Sequence, residues 1–125
     1  GANLRRTDLR MTSLIGSKLG NADLTQADLS MASVLWSDLT EVNFRNATMR
    51  DINLYYSDLR GANLTGADLE GAKLWKVNIT GANLKGTNLT NADLTEAVAN
   101  KTDLDGPIYC NTTMPNGRLN NSGCN

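Results

Sequence analysis

From Leu4 to Leu104 an apolar residue returns at every fifth position without an insertion, and this period constrains the fold more than any other feature of the chain. The series runs Leu4, Leu9, Leu14, Leu19, Leu24, Leu29, Val34, Leu39, Phe44, Met49, Leu54 and onward to Leu94, Ala99 and Leu104. Two residues before each centre stands a small or β-branched residue, alanine at Ala22, Ala27, Ala32, Ala47, Ala62, Ala67 and Ala72, and Ser, Thr, Val or Ile at most others. The residue just before the centre is usually Asp or Asn, as in Asp23, Asp28, Asn63 and Asp68. The phrase is clearest over Arg60–Leu74, RGANLTGADLEGAKL. A tandem period of this kind decides the architecture ahead of local propensity.

Five fits neither a helix, whose apolar face recurs at three and four, nor a flat strand, which alternates by two. It fits a chain that turns a corner after every short extended piece, with the centre and the small residue pointing inward and the other three outward. Four such sides close a square coil of about 20 residues, and successive coils stack about 4.8 Å apart through backbone hydrogen bonds. A little over five coils make a rod roughly 25 Å long on that spacing. Hydrophobic residues are 40% of the chain, most of them Leu and Ala, with six aromatics. That composition suits a thin, regular core better than a conventional one built from large interdigitating side chains.

This tandem A(D/N)LxX pattern resembles the pentapeptide-repeat family, and the resemblance covers about residues 2 to 105. It implies an all-β fold, a right-handed quadrilateral β-helix of about five coils spanning residues 1–105, closed by a short C-terminal capping tail over residues 106–125. Val98–Ala99 breaks the phrase by placing a small residue at a centre, so a looser coil is expected there. After Leu104 the run Asp105–Gly106–Pro107 signals a turn. The tail covers the last coil, whose unpaired backbone groups otherwise invite end-to-end association. No comparable cap precedes Ala2, so the edge of the N-terminal coil is the expected place for self-association or for a missing segment. Gly1 is not an initiator Met and already sits within the repeat, which points to a processed leader or to a segment cut from a longer chain. No stretch of the sequence is long and apolar enough for a membrane span.

Cys110 and Cys124, the only cysteines, lie 14 apart in the irregular tail, where a bridge is expected. A loop of that length contributes on the order of 3 kcal/mol by restricting the unfolded chain. Metal binding is disfavoured because the chain has no His and two thiolates leave a tetrahedral site half empty. The spacing is not the C-x-x-C of a redox-active pair. A bridge implies an oxidising compartment. The tail, with CNTTMP, an NG turn and a closing GC, is similar to that of pentapeptide-repeat proteins of the cyanobacterial and chloroplast thylakoid lumen or the periplasm. That likeness implies the same location here.

Residues 20 apart share a face if the coil has 20 residues. Those just after the centres then form the column Ile15, Leu35, Tyr55, Trp75, Thr95, and the next column reads Gly16, Trp36, Tyr56, Lys76, Glu96. Four of the six aromatics thus share one side, whereas the other sides carry mainly Thr, Arg, Asn, Gly and Asp. A contiguous apolar stripe asks for an explanation in a way that scattered exposed residues do not. Ile15, Leu35, Trp36, Tyr55, Tyr56 and Trp75 are accordingly the candidate surface for a protein partner, built from rigid aromatics with polar tips. The competing readings are cover by the tail or a flanking segment, simple ladder packing, and a carbohydrate-binding platform.

Net charge is −1, from 12 basic and 13 acidic residues, which argues against binding to phosphate backbones or anionic lipid. The column Arg5, Thr25, Arg45, Thr65, Lys85 is only mildly basic, and Arg10 and Arg50 fall on another side. One class within the resembled family mimics DNA and inhibits a topoisomerase through a strongly acidic rod; the balanced charge disfavours that role here. No catalytic, cofactor-binding or metal-binding residue is expected, because the interior is filled by Leu and Ala and the carboxylates face outward. The glycines at Gly61, Gly66, Gly71, Gly81 and Gly86 recur with the repeat and serve its corners, forming no phosphate loop. The Asn-X-Thr triplets, such as Asn63-Leu-Thr65 and Asn100-Lys-Thr102, are a by-product of the repeat.

Overall fold

The computed structural model describes residues 1–125, the side chain of Thr102 excepted; the triplet ending there therefore lies outside the described residues. The chain winds as a right-handed quadrilateral β-helix. Its repeat length is set by parallel pairing between residues 20 apart, from Asn3 with Asp23 and Asp8 with Asp28 through to Asn78 with Val98. At each side the centre N–H donates forward and the residue before the next centre donates back. Leu4 N–H reaches the Asp23 carbonyl at 2.8 Å, and Asp23 N–H reaches the Ala2 carbonyl at 2.8 Å.

Nearly every corner uses one local device. The second residue after a centre adopts positive φ, and the next N–H closes back on the centre carbonyl, as Ala22 N–H does on Leu19 at 2.9 Å. This is the pattern of a type II turn. Gly61, Gly66 and Gly71 take that conformation freely, but Asn21, Met31, Glu41 and Lys76 take it too, with φ of 62°, 60°, 58° and 55°.

Where Asp or Asn stands before a centre, it completes the corner from outside. Its Oδ1 accepts the backbone N–H two residues on, at 3.0 Å from Thr25 to Asp23 and at 3.1 Å from Thr65 to Asn63. Where that residue is Thr, its hydroxyl donates to the same oxygen, as from Thr65 to Asn63 at 2.6 Å. These are Asx-turns, which stabilise corners locally. They give the Asn-X-Thr triplets a structural role.

The interior holds the centres and the residues two before them. From Ala22 to Leu94 these side chains are almost wholly buried. The buried hydroxyls do not break this core, because each donates to a centre carbonyl of the coil before: Ser37 to Leu14 at 2.9 Å, Thr87 to Leu64 at 2.8 Å and Thr112 to Leu89 at 2.7 Å. Among the described residues no buried side-chain polar atom lacks a partner, as a thin apolar core requires. In the first coil, Leu4, Leu9, Leu14 and Leu19 are only partly buried.

The irregularity expected at Val98–Ala99 takes the form of a short 3₁₀ helix, Lys101–Leu104, where one corner and one side of the coil should be. Beyond residue 105 the composition changes, yet the ladder resumes in phase. Ile108 pairs with Asn88, Thr113 pairs with Asp93, and Glu96 N–H donates to the Pro115 carbonyl at 2.9 Å. Tyr109 occupies a centre and is buried, its hydroxyl donating to the Leu104 carbonyl at 2.6 Å. Only after Pro115 does the chain reverse: β1, Thr112–Thr113, pairs antiparallel with β2, Leu119–Asn120.

Candidate functional site

The corners that follow Leu14, Val34, Leu54 and Leu74 bring the candidate aromatics together. Their inner edge is a ladder of serines, with Ser17 N–H donating to Ser37 Oγ and Ser37 N–H to Ser57 Oγ, each at 3.1 Å. This ladder ties three successive corners to one another and fixes the spacing of what they carry outward. Trp36 and Tyr56 sit at positive φ, 57° and 59°. Holding a bulky residue there costs on the order of 1 kcal/mol, where glycine at other corners avoids it.

The four rings form one connected cluster. Trp36 and Tyr56 stack in parallel, 4.2 Å between centroids and 2° between planes. Trp75 meets Tyr55 edge-on at 5.6 Å and Tyr56 edge-on at 5.5 Å. Such edge and offset contacts are the favourable geometries for ring quadrupoles. Lys76 adds a cation beneath the stack, its Nζ 4.9 Å from the Trp75 ring and 5.6 Å from the Tyr56 ring, and also pairs with Glu96 at 3.4 Å. The 20-residue columns already placed Lys76 under Tyr56; its contact with Trp75, across the corner, depends on rotamers that periodicity does not carry.

Exposure grades along the stripe. Ile15 and Trp36 are open, at 56% and 63%, while Leu35, Tyr55, Tyr56 and Trp75 are half-buried by one another. An open recess beside them is lined by Tyr55, Trp75, Asp93 and Thr95. The structure therefore places all six candidate residues on one corner of the rod. The first part of the tail continues the coil, bringing Pro115 onto this column two rungs beyond Trp75, and its last part folds back over the end of that coil.

That tail is closed by the disulfide Cys110–Cys124, with Cα atoms 4.8 Å apart. Asn111 N–H donates to Asn121 Oδ1 at 2.7 Å, and Gly123 N–H donates to the Tyr109 carbonyl at 2.7 Å. A Cβ on Gly123 would stand 3.0 Å from the Tyr109 carbonyl oxygen and 3.1 Å from its nitrogen, so the SGC sequence packs its glycine directly on the last coil's backbone.

Several charged groups elsewhere are paired locally. Arg10 pairs with Asp8 at 2.8 Å, Arg60 with Asp58 at 2.6 Å, and Arg50 with Glu70 at 3.0 Å. The Arg10 guanidinium and backbone N–H hold the Asp8 carboxyl down at about 2. Hydrogen bonds from the Thr25 hydroxyl and N–H lower Asp23, those from the Thr40 N–H and hydroxyl lower Asp38, and the Arg60 guanidinium lowers Asp58. Burial, with Asp105 adding to it, pushes the Tyr109 phenol up to about 12. Among the described residues no three His, Cys, Asp or Glu side chains stand close enough to hold a metal ion, and no helix is long and apolar enough to cross a membrane.

A family model described as "Pentapeptide repeats" matches eight copies over residues 1–33, 37–75 and 76–106. No curated protein sequence matches the chain. Among solved structures it is similar to a pentapeptide repeat protein, Rfr23, from the cyanobacterium Cyanothece 51142, with 39% identity over 63% of this chain and 60% of that one and a TM-score of 0.60. It is also similar to QnrB1, a plasmid-mediated fluoroquinolone resistance protein, at 23% identity over 76% of this chain and 58% of that one, with a TM-score of 0.58. At that identity the likeness to QnrB1 concerns the fold alone. A pentapeptide repeat protein of the Arabidopsis thaliana thylakoid lumen matches at 30% identity over 71% of this chain and 66% of that one, with a TM-score of 0.32. The chain spans about 60% of the length of the first of these relatives.

Proposed function

This chain belongs to the pentapeptide-repeat family, and from that premise we propose that it is a non-enzymatic scaffold whose aromatic corner holds a protein partner. The observation that carries this reading is the four-ring cluster of Trp36, Tyr55, Tyr56 and Trp75 on one side of the rod. Clustered aromatics of this kind supply most of the binding energy at protein interfaces, because they bury large area with few rotatable bonds.

The mixed charge of the other sides, with Arg10, Arg50 and Arg60 each answered by a carboxylate, disfavours an acidic rod acting as a nucleic-acid mimic. The bridged tail favours an oxidising setting, the thylakoid lumen or the periplasm. The test is affinity capture from the native compartment with the wild type and with a Tyr55→Ala, Trp75→Ala double variant. A partner retained by the wild type and lost by the double variant is expected. Identical partner lists from the two proteins would end the reading.

A further inference from the structure

Within the aromatic corner, one ring face is left without a neighbour. Trp36 lies flat on Tyr56, so its other face turns toward the rung above, and the residue there is Gly16. A Cβ placed on Gly16 would meet no heavy atom within 4 Å. The column thus reads open slot, Trp36, Tyr56, and at the far end Lys76, whose ammonium group already sits against the rings of Tyr56 and Trp75. One end of the stack has its cation; the other end, the face of an indole that is 63% exposed, has none among the described residues. Indole is the strongest cation acceptor among the aromatic side chains, and an arginine guanidinium lies flat on such a face.

The charges beside the slot select the same occupant. On the side and corner that follow Trp36 stand Lys18, Asp38, Asp58, Glu41 and Arg60. Asp58 is held by the Arg60 guanidinium and the Glu41 carboxylate turns away to lie against Gly61, which leaves Asp38, in no ion pair among the described residues, on the rung next to Lys18. The carboxyl of Asp38 is itself kept ionised by the Thr40 N–H and hydroxyl. One ionised carboxylate outside any ion pair, that of Asp38, thus stands on the side that follows the open ring face.

We infer that the free face of Trp36 above Gly16 is the seat of an arginine side chain from the protein partner, its guanidinium stacked on the indole and its edge turned toward Asp38. This rests on the scaffold reading and names the chemistry by which the aromatic corner selects what it holds. It differs from an aromatic anchor, which gains nothing from a neighbouring carboxylate, and from a sugar, whose hydroxyls can donate to that carboxylate but which carries no charge.

The experiment follows the Gly16 amide and the Trp36 indole N–H by NMR in the whole chain. The probes are a short Gly/Ser peptide carrying two arginines, the same peptide with citrulline, the same peptide with phenylalanine, and a neutral oligosaccharide. The arginine peptide is expected to shift both signals in a saturable way. Citrulline is expected to bind at least about fivefold more weakly, since it keeps the shape and loses the charge. Asp38→Asn is expected to weaken the arginine peptide and leave the citrulline peptide unchanged. Gly16→Gln, at a corner type where Gln26 is already accommodated at φ 59°, is expected to fill the slot and abolish the shift of the Trp36 indole N–H. Equal binding of arginine and citrulline peptides, or shifts from the phenylalanine peptide or the oligosaccharide alone, would overturn the assignment. If the arginine peptide leaves both signals still while partner capture still depends on Tyr55 and Trp75, the arginine seat fails and the scaffold reading stands.

Discussion

Leu64 is 2% exposed and sits at a centre in the middle of the rod, so its side chain touches only other centres and the small residues between them. Leu64→Asp is expected to cost several kcal/mol, because the carboxylate is buried with nothing to pair it. Denaturant unfolding followed by circular dichroism checks this, and a loss below about 1 kcal/mol would mean that the centres do not face inward. Glycines divide in a similar way. A Cβ on Gly71 would strike the flexible tip of Asp51, which can turn aside, so Gly71→Ala is limited to the conformational cost of positive φ, about 1 kcal/mol. A Cβ on Gly123 faces the backbone of Tyr109, which cannot yield. Gly123→Ala is therefore expected to loosen the tail, read as faster reduction of Cys110–Cys124 under mild thiol. Unchanged reduction would remove that glycine from the closure.

At the scale of one corner, the Asp and Asn residues are structural acceptors, and this makes the rod sensitive to acid. Asp23, Asp38 and Asp58 have folded-state values held below the ordinary 3.8 by hydrogen bonds that exist only in the corner. A carboxyl lowered on folding contributes stability that is complete above its unfolded value and lost as pH falls through the folded one. The melting temperature is expected to hold from neutrality to about pH 4 and to fall below it. Asn63 and Asn78 make the same bond through an amide oxygen that does not titrate. Replacing Asp23 and Asp38 by Asn should accordingly flatten the acid limb, and an unaltered limb would place the acid sensitivity elsewhere. None of this was legible in the period, because the position before each centre alternates Asp with Asn without changing phase, and the bond is visible only once the corner closes. The centres, by contrast, were readable at once, since burial acts on every fifth residue alike. The columns of Trp36 with Tyr56 and Tyr55 with Trp75 followed from the same count. Continuation beyond Leu104 was hidden because Pro107 and Thr112 replace the alanines, although Tyr109 and Met114 still fall on the beat and backbone pairing, indifferent to side chains, carries it on.

For the whole molecule, stability is a sum over neighbouring coils, because each coil touches only the one above and the one below. The tail closes one end and is tied chiefly to the last coil. Reducing the disulfide is therefore expected to release residues 116–125 to rapid amide exchange while Leu24 to Leu84 remain protected; collapse of protection throughout the rod would make the tail essential to the fold. The corner acceptors carry a further consequence. Among the described residues fourteen corners are completed by a residue of this type, seven by Asp and seven by Asn, and either serves. Single exchanges between the two can therefore carry the net charge of such a rod from −1 toward −8, one step for each of those seven asparagines, with every corner bond kept. Lineages built on this coil are free to drift in electrostatic character while their shape stays constant, and the same backbone can be recoloured for an acidic or a basic target without being refolded.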